Sequence, residues 1–284
     1  MSETMQTELQ ATESKNVQVA GNGIINGYKV VVGEETGPIT IVKDSYHVCH
    51  NQDFTGIVNQ MSDISGFDVS GYSEFYNGNV VIGHLKNNLT EFKIGDHKIE
   101  DYIVLGNSHN GTKKFFVGTT TNLVRCSNQF SQISVLESIK HTKSAVQKFE
   151  DLMEGFKRYL DIRKRMYEKF EMFQDIKVDG KVRELVIRKM LEIKDEDKLE
   201  DISTRKQNQF ELIDNRMISE MEDLGDNLFG IFQGATYYTS HDIVSDNKGF
   251  GNLFGSAQSK NQKAFAAINQ IAEEKRRILV PVMS

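Results

Sequence analysis

The chain has 284 residues, 38% hydrophobic and 26% charged, enough for one large domain or two modest ones with a sizeable core. No apolar run approaches the roughly 18 residues that span a membrane. A formal net charge of −6 excludes a protein coated in positive charge, yet leaves room for a local basic stripe.

The N-terminus, MSETMQTELQATESKNVQVAGNG, is polar and lacks the basic and apolar regions of a secretory signal, so residues 1–26 are expected to form a disordered or weakly ordered arm. Cys49 and Cys126 are too few for a disulfide framework and point to a reducing cytoplasm. Tyr28–Val32 and Ile39–Val42 are short β-branched runs separated by the turn residues EETGP. After DSYHVCHNQ, Asp53 is placed to cap a short helix with Phe54, Ile57, Val58 and Met61 on one face. Phe67–Phe75 alternates, and Asn77-Gly78 predicts a hairpin into NVVIGHL. IEDYIVLGNS, a second turn at Asn110-Gly111, and TKKFFVGTTTNLVRC complete an antiparallel meander of at least four strands over about 67–126.

The second half reads as helical. Val135, Ile139, Thr142, Val146, Phe149, Met153, Phe156 and Leu160 follow a heptad-like stripe that continues through Met166, Phe170 and Phe173. Asp179-Gly180 breaks it. Further helices are expected over Lys181–Ile193, Asn208–Tyr238 and Gly255–Ile278, the last with Ala264, Ala267, Ile268 and Ile271 on its apolar face. The fold class is therefore α+β, a β-meander in the N-terminal half packed by long helices from the C-terminal half. Its parts are the arm (1–26), a β-rich core with the first long helix (27–175), a variable helical and acidic insertion (176–226), and a C-terminal helical element (227–284).

Charge is uneven. Residues 139–165 hold eight Lys or Arg against four Asp or Glu, whereas 192–226 hold twelve acids against five bases. In NSHNGTKKFF, Asn110-Gly111 suits a type I′ turn, with His109 exposed at its edge. The two lysines and two phenylalanines read either as a surface hairpin or as a finger that grips phosphates and stacks bases. His47, Cys49 and His50 in YHVCH have zinc-ligand chemistry, completed only by Cys126 or His109, but no second pair has finger-like spacing. A Cys126–histidine nucleophile has no orienting acid in evidence. The spaced glycines of GNGIING (21–27) and GFGNLFG (249–255) lack a phosphate-loop context. Nothing calls for a cofactor or metal.

DSYHVCHNQDF (44–54), LGNSHNGTKKFFVG (105–118), LVRCSNQF (123–130), IKHTKSAVQKFEDL (139–152) and NLFGIFQGATYYTSHD (227–242), taken in order, resemble the phage- and plasmid-encoded proteins grouped as domain of unknown function 932. The motif positions carried over are Tyr46, Asn51, Phe54, Asn107, His109, Gly111, Cys126, Asn128 and His141. Family members often have an acidic residue where Asn110 stands and Thr-Leu or Gly-Leu where Gln129 and Phe130 stand, and residues 176–226 have no evident counterpart. The resemblance implies a phage setting, the bacterial cytoplasm, and a place in replication or recombination. The resulting expectation is a non-enzymatic protein, a homo-oligomer, that binds single-stranded DNA. Lys113, Lys114, Arg125, Lys140, Lys143, Lys157, Arg158, Arg163 and Lys164 would hold phosphates, with Phe115 and Tyr72 as stacking partners. The alternative is a phage structural or host-interaction protein that acts through protein contacts.

Overall fold

The structure, a computed structural model, describes residues 6–19, 23–89, 91–113, 115–123, 128–139, 163–243 and 254–279. Strands β1 (Thr12–Val19), β2 (Gly23–Gly33) and β3 (Gly37–Lys43) form an antiparallel sheet in that order. Helix α1 (Asn51–Ser65) follows, then β4 (Asp68–Phe75), β5 (Val80–Lys86), β6 (Phe92–Ile94), β7 (His97–Ser108), β8 (Phe115–Leu123) and β9 (Asn128–Ile139). These six strands make a second sheet of order β4-β5-β7-β8-β9, with β6 paired to β7. The helical residues 163–175 (α2) precede α3 (Gly180–Leu191), α4 (Thr204–Leu224), α5 (Leu228–Tyr237), a π-helical turn at Tyr238–Asp242, and α6 (Ser256–Leu279). The α+β class and the meander stand as expected.

Contacts divide the chain into two compact units, one of Met1–Glu91, Glu100–Thr120 and Ile133–Leu160, the other of Phe92–Ile99, Thr121–Gln132 and Asp161–Ser284. In the first, α1 lays Phe54, Val58 and Met61, all fully buried, against β4 and β5. Gly83 permits the approach, because a Cβ there would come within 2.8 Å of Val58. Asp53 sits in the first turn of α1, but the N-cap is His50, with no side-chain cap bond. The helix stops at Gly66, whose φ of 70° suits glycine.

Three readings of the sequence are corrected. Thr12–Val19 is a paired strand rather than a loose arm, held along β2 from Thr12↔Gly33 to Val19↔Gly23. Val135 and Ile139 belong to β9, not to a helix; edge pairing with β8 uses the β-branched residues that the heptad stripe claimed. The rest of that stripe up to residue 160 lies outside the described residues. The single helix expected over Asn208–Tyr238 is two. Gly225 turns the chain at φ 91°, and the Asn227 side chain caps the next helix by accepting from the Gly230 N–H at 2.9 Å.

The second unit is built on α2 to α6. Phe170, Phe173, Phe229 and Phe232 are fully buried; the rings of Phe170, Phe173 and Phe232 pack with Phe265 in tilted and edge-on pairs, and Phe229 packs on Phe170. Residues 186–193 and 213–224 of the stretch read as an insertion supply much of this core. Glycines 230 and 234 let α5 lie directly on α4: a Cβ at Gly234 would stand 2.3 Å from the Cα of Met217 and one at Gly230 2.9 Å from Met221 Cγ. The obstruction at 234 is backbone, so no rotamer change relieves it. Gly234→Ala is expected to cost about 1–3 kcal/mol, the usual range for overpacking, read as a lowered thermal midpoint. An unchanged midpoint would show that the helices separate freely.

Candidate functional site

The polar residues of the first unit gather where β1, the start of α1 and the end of β7 meet. Leu105 pairs with Gly83 and Asn107 with Val81, and Gly83 faces α1, so alternation puts Leu105, Asn107 and the following His109 on the helix side. His109 is fully buried, with Nε2 3.0 Å from Oδ1 of Asn51, itself 2% exposed. That oxygen only accepts, so the network assigns the proton to Nε2. Asn51 spends its other groups on the segment entering β1: Nδ2 donates to the Gln10 carbonyl at 2.9 Å and the backbone N–H to Thr12 Oγ1 at 2.9 Å. Gln52 and the Thr12 backbone exchange a reciprocal pair of hydrogen bonds, and Thr12 and Ser14 hydroxyls bracket the His50 ring at 3.3 Å each. Asn107 Nδ2 donates to the carbonyl of Cys49 at 3.0 Å.

The next residues form a braced loop. Ser108 Oγ donates to the Lys113 carbonyl at 3.0 Å and accepts the Lys113 N–H at 3.1 Å. Asn110 Oδ1 accepts the Thr112 N–H at 2.9 Å, an Asx turn. Tyr46 donates its hydroxyl to the Ser108 carbonyl at 3.3 Å and lays its ring on Gly111. A Cβ on Gly111 would come 3.1 Å from that ring, and φ there is 72°. Among the described residues of this loop only Gly111 has positive φ, and Asn110 does not, so Asn110-Gly111 is not the type I′ pair read from the sequence. His109 likewise is not an exposed turn residue, because its ring turns inward to the only geometry that satisfies Asn51.

The expected stacking residues are corrected too. Phe115 is buried, packed edge-on to Phe54 at 5.9 Å between ring centres, and Tyr72 is buried on the sheet. Neither ring is open to a base. Lys113 is half-buried at the loop's end. Arg163 is half-buried in the second unit, with its guanidinium 5.1 Å from the Tyr167 ring centre, and Lys164 is exposed. Lys114, Arg125, Cys126, Lys140, His141, Lys143, Lys157 and Arg158 lie outside the described residues, and Asn128 opens β9. Of the net-basic stretch 139–165, only the bases Arg163, Lys164 and Arg165 are among the described residues.

Electrostatics keep this site neutral. Burial, then the nearby Asp53, pushes the Cys49 thiol up to about 12. Burial, then Cys49, pushes the Tyr46 phenol up to about 12. Burial also lowers His50. A thiol held protonated is a poor nucleophile and a poor metal ligand. Among the described residues, no group of three or more His, Cys, Asp or Glu is arranged to hold a metal ion. The arrangement positions backbone.

Periodicity gave no hint of Gln10, Thr12 and Gln52, which act through partners about 40 residues away. The Asn51–His109 bond is expected to carry the site's stability. His109→Ala should cost about 1–3 kcal/mol by leaving a buried acceptor unmatched, and a double-mutant cycle with Asn51→Ala should give a coupling of at least about 0.5 kcal/mol. Additive effects would mean that the bond holds nothing. On the same sheet, His84 accepts or donates at 3.1 Å to Ser73, and burial lowers its pKa to about 4. The unfolded chain then binds the proton more readily, so stability falls as pH drops from about 6.5 toward 4, by up to roughly 1.4 kcal/mol per unit. His50, lowered as well, works in the same direction, whereas burial raises the Glu74 carboxyl and works in the opposite one. Urea midpoints across that window should therefore fall less steeply for His84→Gln than for the unaltered protein.

No curated protein and no solved structure is significantly similar to the chain. No described helix is long and apolar enough to cross a membrane. The family model for the domain of unknown function DUF932 matches residues 38–270, from β3 to α6, and takes in Asn51 and His109 but not the β1 side of their network. The chain belongs to the DUF932 family.

Proposed function

We propose that the protein binds single-stranded nucleic acid without catalysing a covalent step, as a phage-encoded accessory of DNA replication or recombination in the bacterial cytoplasm. The observation that carries this reading is Tyr76. It is 51% exposed and held at φ 53°, a conformation costly for a bulky side chain. Its turn, residues 76–79, lies against the braced loop, since the His109 N–H donates to the Asn79 carbonyl at 2.9 Å. An exposed ring and Lys113 thus belong to adjoining turns at one end of the sheet. Rings for bases and cations for phosphates are what sequence-tolerant binding of a single strand requires. The motif residues support the reading, because buried Asn107 and His109, and Gly111 beneath the Tyr46 ring, fix the loop that leads into Lys113.

Tyr76→Gly separates function from fold. Glycine relieves the strained φ, so stability should hold or rise, while affinity for a labelled oligonucleotide should fall by about 1–3 kcal/mol, the worth of one stacked base. Lys113→Ala with Lys114→Ala should make the slope of log affinity against log salt shallower by about 1.4, two phosphate contacts at roughly 0.7 each. No binding at low salt, or binding indifferent to salt, ends the proposal.

A further inference from the structure

The β1–β3 sheet has one covered face and one bare one. Val31 and Val42 point to the covered side, where they pack with Val48 and Tyr46. The pairing register fixes what the bare side carries. Its middle row is Lys15, Val30 and Ile41; one flanking row starts with Glu13 and Val32, and the other ends with Tyr28 and Lys43. Ile41 is 59% exposed and Tyr28 45%, and Ile24 and Ile25 farther along β2 are exposed too. Strands with this much apolar side chain in water normally have a partner.

The charge pattern selects the partner. Residues 12–43 hold three lysines (15, 29 and 43) and three glutamates (13, 34 and 35), so the sheet has no net charge to attract a polyanion. Its charges instead occupy opposite corners, Glu13 on β1 and Lys43 on β3. A two-fold axis lying in the face and passing through Val30, along the diagonal toward Pro38, maps each corner onto the other. Glu13 then meets Lys43 of a second copy, Lys15 meets the ring of Tyr28, Val32 meets Ile41, and Val30 meets its own counterpart. The fit holds to within the difference between the strand spacing of about 4.8 Å and the same-face repeat of about 6.8 Å. The crossing is the orthogonal type of sheet packing. Each contact is of a favourable class: an ion pair, a cation over a ring, and aliphatic against aliphatic. In the free chain Lys15 pairs with Glu13 at 2.6 Å on an open surface, where such pairs contribute little and exchange readily.

We propose that this face joins two copies of the chain into a symmetric dimer, and that it does so without nucleic acid. Sedimentation equilibrium of the full chain, free of nucleic acid, is the test, and it is independent of any result with oligonucleotides. The unaltered protein should be dimeric, and Ile41→Glu should weaken association at least about tenfold, the equivalent of 1.4 kcal/mol. Lys43→Glu should weaken it as well, and Lys43→Glu combined with Glu13→Lys should recover it. All these side chains are exposed, and far-UV circular dichroism should confirm that each variant stays folded. Val30→Cys, next to the axis, should oxidise to a dimer whose mass-mapped disulfide joins residue 30 to residue 30. The proposal is overturned if the unaltered protein is monomeric at all concentrations, if Ile41→Glu associates as before, or if the charge exchange fails to recover association. It is equally overturned if Ile41→Glu leaves assembly intact and abolishes oligonucleotide binding, which would give the face to nucleic acid.

Discussion

The first unit depends on a constraint at a single imidazole. A histidine can be buried without large cost only where its ring nitrogen is hydrogen-bonded, and Nε2 of His109 finds its acceptor in Asn51 at the start of α1. Asn51 in turn ties the segment entering β1 through Gln10 and Thr12. One side chain thus fixes the end of β7, the start of α1 and the approach to β1, elements between 12 and 109 in the sequence. A looser link would leave α1 free to slide along β5, where Gly83 and Val58 already fit with no space to spare.

The same network explains why this site is a scaffold. A catalytic group needs access to substrate and a pKa near the working pH. Here the histidine is sealed, Cys49 is held protonated by burial, and Tyr46 spends its hydroxyl on a backbone carbonyl. Asn51, Gln52, Asn107, Ser108 and Tyr46 each bond the backbone of a loop or a strand. The result is a braced mount for residues 109–113, and under the proposed reading such bracing would lower the ordering cost of association.

How much of this was legible depended on the range of the interaction. Local signals read well: the 3.6-residue spacing of Phe54, Val58 and Met61, the break at Asp179-Gly180 and the Asn77-Gly78 turn between β4 and β5 all describe nearest neighbours. Asn110-Gly111 misled because the dipeptide carries a hairpin preference that a six-residue loop, braced by Ser108 and Tyr46, overrides. His109 looked exposed for the same reason, since only a partner 58 positions away turns it inward. Val135 and Ile139 satisfy a heptad and a strand equally well, and a vacant edge on β8 decided between them. The break between α4 and α5 was marked by Gly225 and Asn227, a C-terminal glycine followed by a cap, but it was hidden by the helical spacing on either side.

The two exposed features of this unit answer different physical demands. The Tyr76 and Lys113 turns offer few contacts, and a ring with two or three cations holds a single strand only weakly at physiological salt. The bare face of the β1–β3 sheet is neutral and apolar at its centre, unsuited to a polyanion but suited to its own copy. In the proposed dimer, pairing would supply what the turns lack, because a second loop on the same particle would meet a bound strand at an effective concentration near millimolar rather than at bulk concentration. Tyr46 links the two features structurally, packing with Val31 and Val42 behind the sheet and with Gly111 in the loop. Under the proposed reading, so modest a loop would gain more from a second copy than from any single added contact, and the sheet proposed to recruit that copy stands directly behind the residue that braces the loop.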